Sequence, residues 1–89
     1  PSSSVAADAG TADYNRVVQD IPEAIDRLRT AVSLAPDNPD YRDLLARLLF
    51  AWGEPDKAAS EQRLAVERVD AARKADFQAR LDIYQQAAR

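Results

Sequence analysis

Between residues 39 and 53 the hydrophobic positions repeat with the period of an α-helix. Counted from the first, they fall at i, i+3, i+4, i+7, i+8 and i+11, and they are Tyr41, Leu44, Leu45, Leu48, Leu49 and Trp52. An apolar stripe of this width is not left in water. Asn38 is suited to cap the helix with Pro39 in its first turn, and Gly53 is suited to end it. The pattern predicts an amphipathic helix covered on one side, with Trp52 packed beside the turn.

A second helix is predicted to precede it, from about Asp20 to Pro36. Asp20 can cap the helix, with Glu23 three residues later as in a capping box and Pro22 in the tolerant first turn. Pro36 ends the helix because it disfavours the α conformation of the residue before it. The apolar stripe consists of Ile21, Ala24, Ile25, Leu28, Ala31, Val32 and Ala35. The connection through residues 36–38 is short, so the two helices are expected to be antiparallel.

Pro55 is predicted to start a third helix, whose apolar stripe consists of Ala58, Ala59, Gln62, Ala65, Val66 and Val69. No Gly or Pro follows up to the end of the chain, so one long helix or two shorter ones fit residues 56–89. We favour two, with a break between Asp70 and Asp76. A second apolar stripe, out of phase with the first, consists of Phe77, Leu81, Tyr84 and Ala88. This stripe predicts a last helix over about residues 75–88, starting at Lys74 or Asp76.

The N-terminal residues have a different composition. Residues 1–10 are mostly Ser, Ala, Asp and Gly, have no period, and are expected to form a linker or disordered tail. Residues 11–18 can form a short helix with Tyr14, Val17 and Val18 on one side. The sequence therefore predicts one small helical domain over residues 11–89.

The amino-acid composition argues against several classes of function. The chain has no Cys and no His, which excludes Ser-His and Cys-His catalytic pairs and the usual zinc ligand sets. Its 12 basic and 15 acidic residues are interspersed, which argues against a nucleic-acid partner. No stretch approaches the roughly 20 apolar residues that cross a bilayer. We expect no enzymatic activity, no cofactor, no metal and no membrane insertion.

A period of 34 residues runs through the chain. Ala24 and Ala58 are separated by 34 residues, as are Ala31 and Ala65. Small residues at these positions allow two helix backbones to approach closely.

These positions resemble the tetratricopeptide repeat (TPR) family of helix-turn-helix units. The match is best from Pro39 to about Val69, where Leu45-Ala46 corresponds to the family's large-then-small pair and Gly53 to its turn glycine. Ala58 and Ala65 correspond to the small positions of the second helix, and residues 19–36 resemble the second half of a preceding repeat. Gln62 departs from the pattern, since an aromatic is usual there.

The resemblance implies an all-α fold in which antiparallel helix hairpins stack as a short right-handed superhelix. About one and a half repeats would be closed by the last helix, because residues 74–89 do not continue the register and solenoids need such caps.

TPR units usually bind a peptide or a partner helix in the groove that is lined by the first helix of each repeat. The resemblance therefore implies a protein-interaction module, with a groove face on the helix over residues 39–53 that consists of Asp40, Asp43, Arg47, Phe50 and Ala51. The alternative for these residues is a solvated face, and Phe50 can instead meet a neighbouring helix. The alternative for the whole chain is a structural cap of a longer array, or an appendage that self-associates as a homo-oligomer.

Overall fold

A computed structural model describes residues 20–89 of the chain, and these residues form an all-α structure without strands. Residues 20–34 are helical and are named α1 here. They are followed by α2 (Pro39–Ala51), α3 (Pro55–Arg68), a 3-10 turn (Ala71–Arg73) and α4 (Lys74–Ala87). The predicted tail at 1–10 and the predicted short helix at 11–18 lie outside the described residues.

The predicted ends of α2 are confirmed. The Asn38 side-chain oxygen accepts hydrogen bonds from the backbone N–H groups of Asp40, at 2.9 Å, and Tyr41, at 3.3 Å. Pro39 occupies the first turn, where its missing N–H would have had no partner inside the helix. Gly53 has a φ of +90° and donates its backbone N–H to the carbonyl of Phe50 at 3.0 Å. This left-handed residue turns the chain directly into α3.

The C-terminal end of α1 is as predicted, but its predicted cap is wrong. Helical residues stop at 34, two residues before Pro36. Asp20 is itself helical, whereas a capping residue must have non-helical backbone angles. A capping-box pattern is a local signal, and here the helix extends over the residue that the pattern assigns to the cap.

The predicted break after α3 is confirmed, so residues 56–89 form two helices and the single long helix is excluded. Val69 and Asp70 are extended, with ψ angles of 150° and 156°. The Asp70 carboxylate accepts a hydrogen bond from Arg73 Nε at 2.7 Å, and this bond lowers the pKa of Asp70. Of the two candidate starts of α4, Lys74 is the observed one.

The core lies where α2, α3 and α4 meet. Ala46, Ala58 and Ala65 are 0% exposed, and Leu45 and Leu49 are 1% exposed. The core also includes Ile25 of α1 and six apolar residues of the C-terminal half: Ala59, Val66, Val69, Phe77, Leu81 and Tyr84. Four half-buried side chains pack against it: Ile21, Leu28, Val32 and Leu48. The apolar stripe of α3 is buried over its whole predicted length. In α4, Ala88 is exposed although it was predicted on the buried stripe.

The predicted buried stripe of α2 is wrong for three residues. Tyr41, Leu44 and Trp52 are between 37% and 45% exposed. The side of α2 that is buried includes Ala46 and Asp43, because α3 and α4 cover it there. The buried side is therefore rotated around the helix axis, away from Tyr41 and Trp52.

Candidate partner-binding face

Asp43 of α2 is the centre of a polar network inside the helical core. It is only 4% exposed. Its Oδ1 accepts hydrogen bonds from Gln62 Nε2 at 2.9 Å and from Arg80 Nε at 2.8 Å. Its Oδ2 forms an ion pair with an Arg47 guanidinium nitrogen at 2.9 Å. A buried carboxylate needs such partners, because removing its charge from water without them is unfavourable. The prediction that Asp43 lies on an open groove face is therefore wrong.

Gln62 of α3 joins this network to the backbone of α4. Its side chain is 0% exposed, and Nε2 also donates a hydrogen bond to the carbonyl oxygen of Phe77 at 3.0 Å. One amide group thus contacts α2 and α4 from α3. This position is where the TPR pattern has an aromatic, and the amide replaces apolar packing with two directed hydrogen bonds.

Phe50 of α2 meets α4, which was one of its two predicted outcomes. Its ring and that of Tyr84 have centroids 4.9 Å apart and planes tilted by 37°. Such offset aromatic pairs are favourable beyond the area they bury. Phe50 nevertheless remains 38% exposed. It therefore supports α4 with one side of its ring and faces solvent with the rest.

Arg73, in the 3-10 turn before α4, and Arg80, in the middle of α4, complete the attachment of this part of the chain to α2. Arg73 donates to an Asp40 carboxylate oxygen at 2.7 Å, and this hydrogen bond raises the pKa of the guanidinium. The guanidinium carbons of Arg73 and Arg80 lie 5.5 and 4.9 Å from the centroid of the Phe77 ring, within the range of cation–π attraction. Asp40 is thus engaged by the turn that leads into α4, although it remains on the surface.

What remains open on α2 is a strip that points away from the core. Arg47 and Ala51 are exposed there as predicted, and Leu44, one turn before Arg47, is exposed as well. Leu44 was missed because its hydrophobic character assigned it to the buried stripe. On α4, exposed Ile83 stands three residues after Arg80 and therefore on the same side of the helix. We call this surface the α2–α4 face; it consists of Asp40, Leu44, Arg47, Phe50 and Ala51 of α2 with Arg80 and Ile83 of α4.

A second feature lies on the opposite flank of α2. A shallow, almost wholly apolar cleft of about 240 Å³ runs between α1 and α2, and it is lined by Asp20, Ile21, Ala24 and Leu48. Leu34, at the C-terminal end of α1, is also exposed. None of the residues predicted for partner binding lines this cleft.

Residues 20–89 contain no group of three or more acidic side chains placed to hold a metal ion. Within the same residues, no helix is both long enough and apolar enough to cross a bilayer.

No protein-family model matches this chain, and neither a curated protein nor a solved structure does. The TPR resemblance therefore depends on the residues quoted above.

Proposed function

We propose that this chain is a protein-interaction module that binds a peptide or a partner helix on the α2–α4 face. The observation that supports this most is the exposure of Leu44, Arg47 and Ala51 on a helix whose neighbouring side chains are already fixed. Asp43 is held by three donors, and Phe50 is stacked on Tyr84. A surface held in place before binding loses little conformational entropy when a partner docks.

The proposed arrangement of the helices is that of one and a half TPR-like repeats with a capping helix. In this arrangement α1 is the second helix of a preceding repeat, α2 and α3 form one complete repeat, and α4 closes its end. The burial of Ala46, Ala58 and Ala65 supports it, because these are the positions at which the TPR resemblance requires small side chains. The left-handed Gly53 at the α2–α3 turn supports it as well.

Binding without catalysis is part of the same proposal. The best-held carboxylate, Asp43, is directed to Gln62, Arg47 and Arg80 rather than to an open pocket. General acid–base catalysis needs a titratable group within reach of a substrate proton. We therefore propose no enzymatic activity, and the interspersed charges of the sequence favour a protein partner over nucleic acid or a bilayer.

A second candidate function is a structural one, in which the chain caps a longer helical array or self-associates. The engagement of Asp40 and Phe50 by α4 favours it, because a helix that occupies part of the groove face behaves as a closing element. The apolar cleft between α1 and α2 favours it too, because such a cleft suits a neighbouring helix.

A peptide selection with surface variants tests the first function. A randomised peptide library is selected against the immobilised chain, and the selected peptides are then titrated against Arg47→Glu and Ala51→Arg. Matched controls are Arg63→Glu and Ser60→Arg on the exposed side of α3. We expect binding to be lost in the first two variants and retained in the controls. Peptides whose binding is lost only in the controls would contradict the proposed face.

Sedimentation over a wide concentration range tests the structural alternative. A self-associating appendage gives a mass that rises with concentration, and Ala24→Asp in the α1–α2 cleft suppresses that rise. A monomer at every concentration excludes self-association through this cleft.

A further inference from the structure

We infer that the partner of the α2–α4 face carries an acidic side chain, and that Arg47 and Arg80 bind its carboxylate. This inference rests on the proposed function, since it assigns the chemistry of the ligand on the same face. The arrangement that leads to it is the sharing of one buried carboxylate by two guanidinium groups.

The charges around Asp43 do not cancel. Arg47 approaches one oxygen of the carboxylate at 2.9 Å, and Arg80 approaches the other at 2.8 Å. Within residues 20–89, Asp43 is the carboxylate that pairs with the guanidinium groups of both Arg47 and Arg80. Two positive charges thus face one negative charge, and they are brought close together because they share it. Asp43 thus pairs with two guanidinium groups but neutralises only one of them, and a ligand carboxylate can pair with the other.

Both arginines have donors left for such a carboxylate. A guanidinium group has five N–H donors in a planar fork that matches the oxygens of a carboxylate. Arg80 uses Nε for Asp43, so its two terminal nitrogens remain. The side chains of Arg47 and Arg80 are 51% and 26% exposed, so a ligand can reach them. Arg80 is further held over the Phe77 ring, which fixes the direction of its donors.

The surroundings determine where on the face the acidic residue lies. Toward the N-terminal end of α2, Asp40 is already paired with Arg73, at 2.7 Å. Asp76, one turn before Arg80 on α4, is exposed and has no cationic partner among residues 20–89, so it repels a second carboxylate. The ligand carboxylate is therefore placed toward the C-terminal end of α2.

Apolar side chains flank the two arginines on this face. Leu44 is 45% exposed and Ile83 is 53% exposed, one on each helix, with Ala51 beyond Arg47 on α2. A ligand that fits this surface has an acidic residue next to apolar residues. We therefore expect a short amphipathic acidic segment rather than a uniformly acidic tail.

The peptides selected in the experiment above test this inference by their composition. Peptides that bind in an Ala51-dependent manner are sequenced, and we expect Asp and Glu to be enriched beside Leu, Ile or Phe. The strongest binder is then compared with its Glu→Gln version by fluorescence anisotropy. We expect the Gln version to bind about tenfold or more weakly, because one charge-assisted hydrogen-bond pair is lost. Binding of the Glu version should weaken with added salt.

Arg47→Gln provides the matched test on the protein side. This arginine is half exposed, and Asp43 keeps Arg80 and Gln62 as partners in its absence, so the fold is retained. In Arg47→Gln the difference in affinity between the Glu and Gln peptides should shrink, because only Arg80 remains to bind the carboxylate, whereas in Arg63→Gln the difference should persist in full. Asp76→Asn should strengthen binding of the Glu peptide.

The outcomes separate this inference from the proposed function. Selected peptides that bind the face equally well as Glu and Gln versions overturn the acidic ligand and leave the interaction module standing. A library that yields no Ala51-dependent binder overturns the proposed face itself, and the inference with it.

Discussion

Three alanines set the distance between the helices of the core. Ala46 on α2 and Ala58 and Ala65 on α3 are 0% exposed, so their methyl groups are enclosed on every side. A larger side chain at any of them has no free volume to enter, since protein interiors are close-packed. These positions therefore hold the hairpin together by being small, while Leu45 and Leu49 fill the space between.

Enlarging one of these alanines is expected to destabilise the fold. Ala58→Leu should lower the free energy of unfolding by about 1–3 kcal/mol, as overpacking of a filled core site does. Ser60→Leu, two residues later and exposed, should change it far less. Thermal denaturation of both variants measures the difference. Equal midpoints would contradict the close packing of α2 against α3.

The sequence identified these alanines because their spacing follows a repeat, but it misplaced Asp43. A carboxylate on a helix is ordinarily assigned to the solvated side. Its partner Arg80 lies 37 residues away, and no local pattern links the two. A signal was present in Gln62, a polar residue in the middle of the apolar stripe of α3, because a buried amide requires a buried partner.

Removing the Asp43 carboxylate tests the polar network. Asp43→Ala should lower the free energy of unfolding by about 1.5–3 kcal/mol, because hydrogen bonds to a charged group are lost and Arg80 no longer holds α4. Chemical denaturation measures the change. Glu67→Ala on the exposed side of α3 is the control and should stay within about 0.5 kcal/mol. A stability loss no larger than that of the control would show that the network is dispensable.

Tyr84 is expected to lower the free energy of unfolding in alkali. Burial raises its pKa above the ordinary value of 10.0, and the charge of Asp43 adds to the effect. In the unfolded chain the phenol ionises near pH 10, whereas in the folded chain it ionises at a higher pH. The free energy of unfolding is therefore unaffected below pH 10 and falls as the pH rises from 10 toward the folded pKa.

Denaturation curves between pH 8 and pH 11 measure this fall. Tyr84→Phe should flatten the decline, and Tyr41→Phe, at a more exposed ring, should keep it. A decline of the same steepness in Tyr84→Phe would assign it to other groups.

At the scale of elements, the ends of α2 were predictable, but the cap of α1 was not, and the buried side of α2 was only partly so. The ends of α2 are set by Asn38, Pro39 and Gly53, whose effects act within one turn. The buried side of α2 depends instead on where α3 and α4 lie. α4 packs on the side of α2 that carries Asp43. Leu44 and Trp52 therefore stay exposed despite their hydrophobic character.

The turn between α2 and α3 depends on the backbone conformation of Gly53. A Cβ atom built at this position has no atom within 4 Å, so a substitution is penalised by its backbone angles and not by a clash. Gly53→Val should lower the free energy of unfolding by about 1–2 kcal/mol, the cost of a left-handed conformation. Gly53→Asn should lower it less, because Asn tolerates positive φ. Equal losses in urea denaturation would show that the left-handed turn does not limit stability.

At the scale of the molecule, α4 has two tasks. It closes the core with Phe77, Leu81 and Tyr84, and it brings Arg80 and Ile83 beside the exposed strip of α2. The sequence predicted the helix and its closing role from the out-of-phase stripe. It did not predict that α4 would contribute to the proposed binding face, because that follows from the contacts of Arg80 and Arg73 with α2.

The α2–α4 face is tested most directly by mapping a selected peptide onto the chain by NMR. Amide shifts of the ¹⁵N-labelled chain are followed as the peptide is added. We expect the largest changes at Leu44, Arg47 and Ala51 of α2 and at Ile83 of α4. Largest changes on the exposed side of α3, at Ser60 and Arg63, with α2 unperturbed, would contradict it.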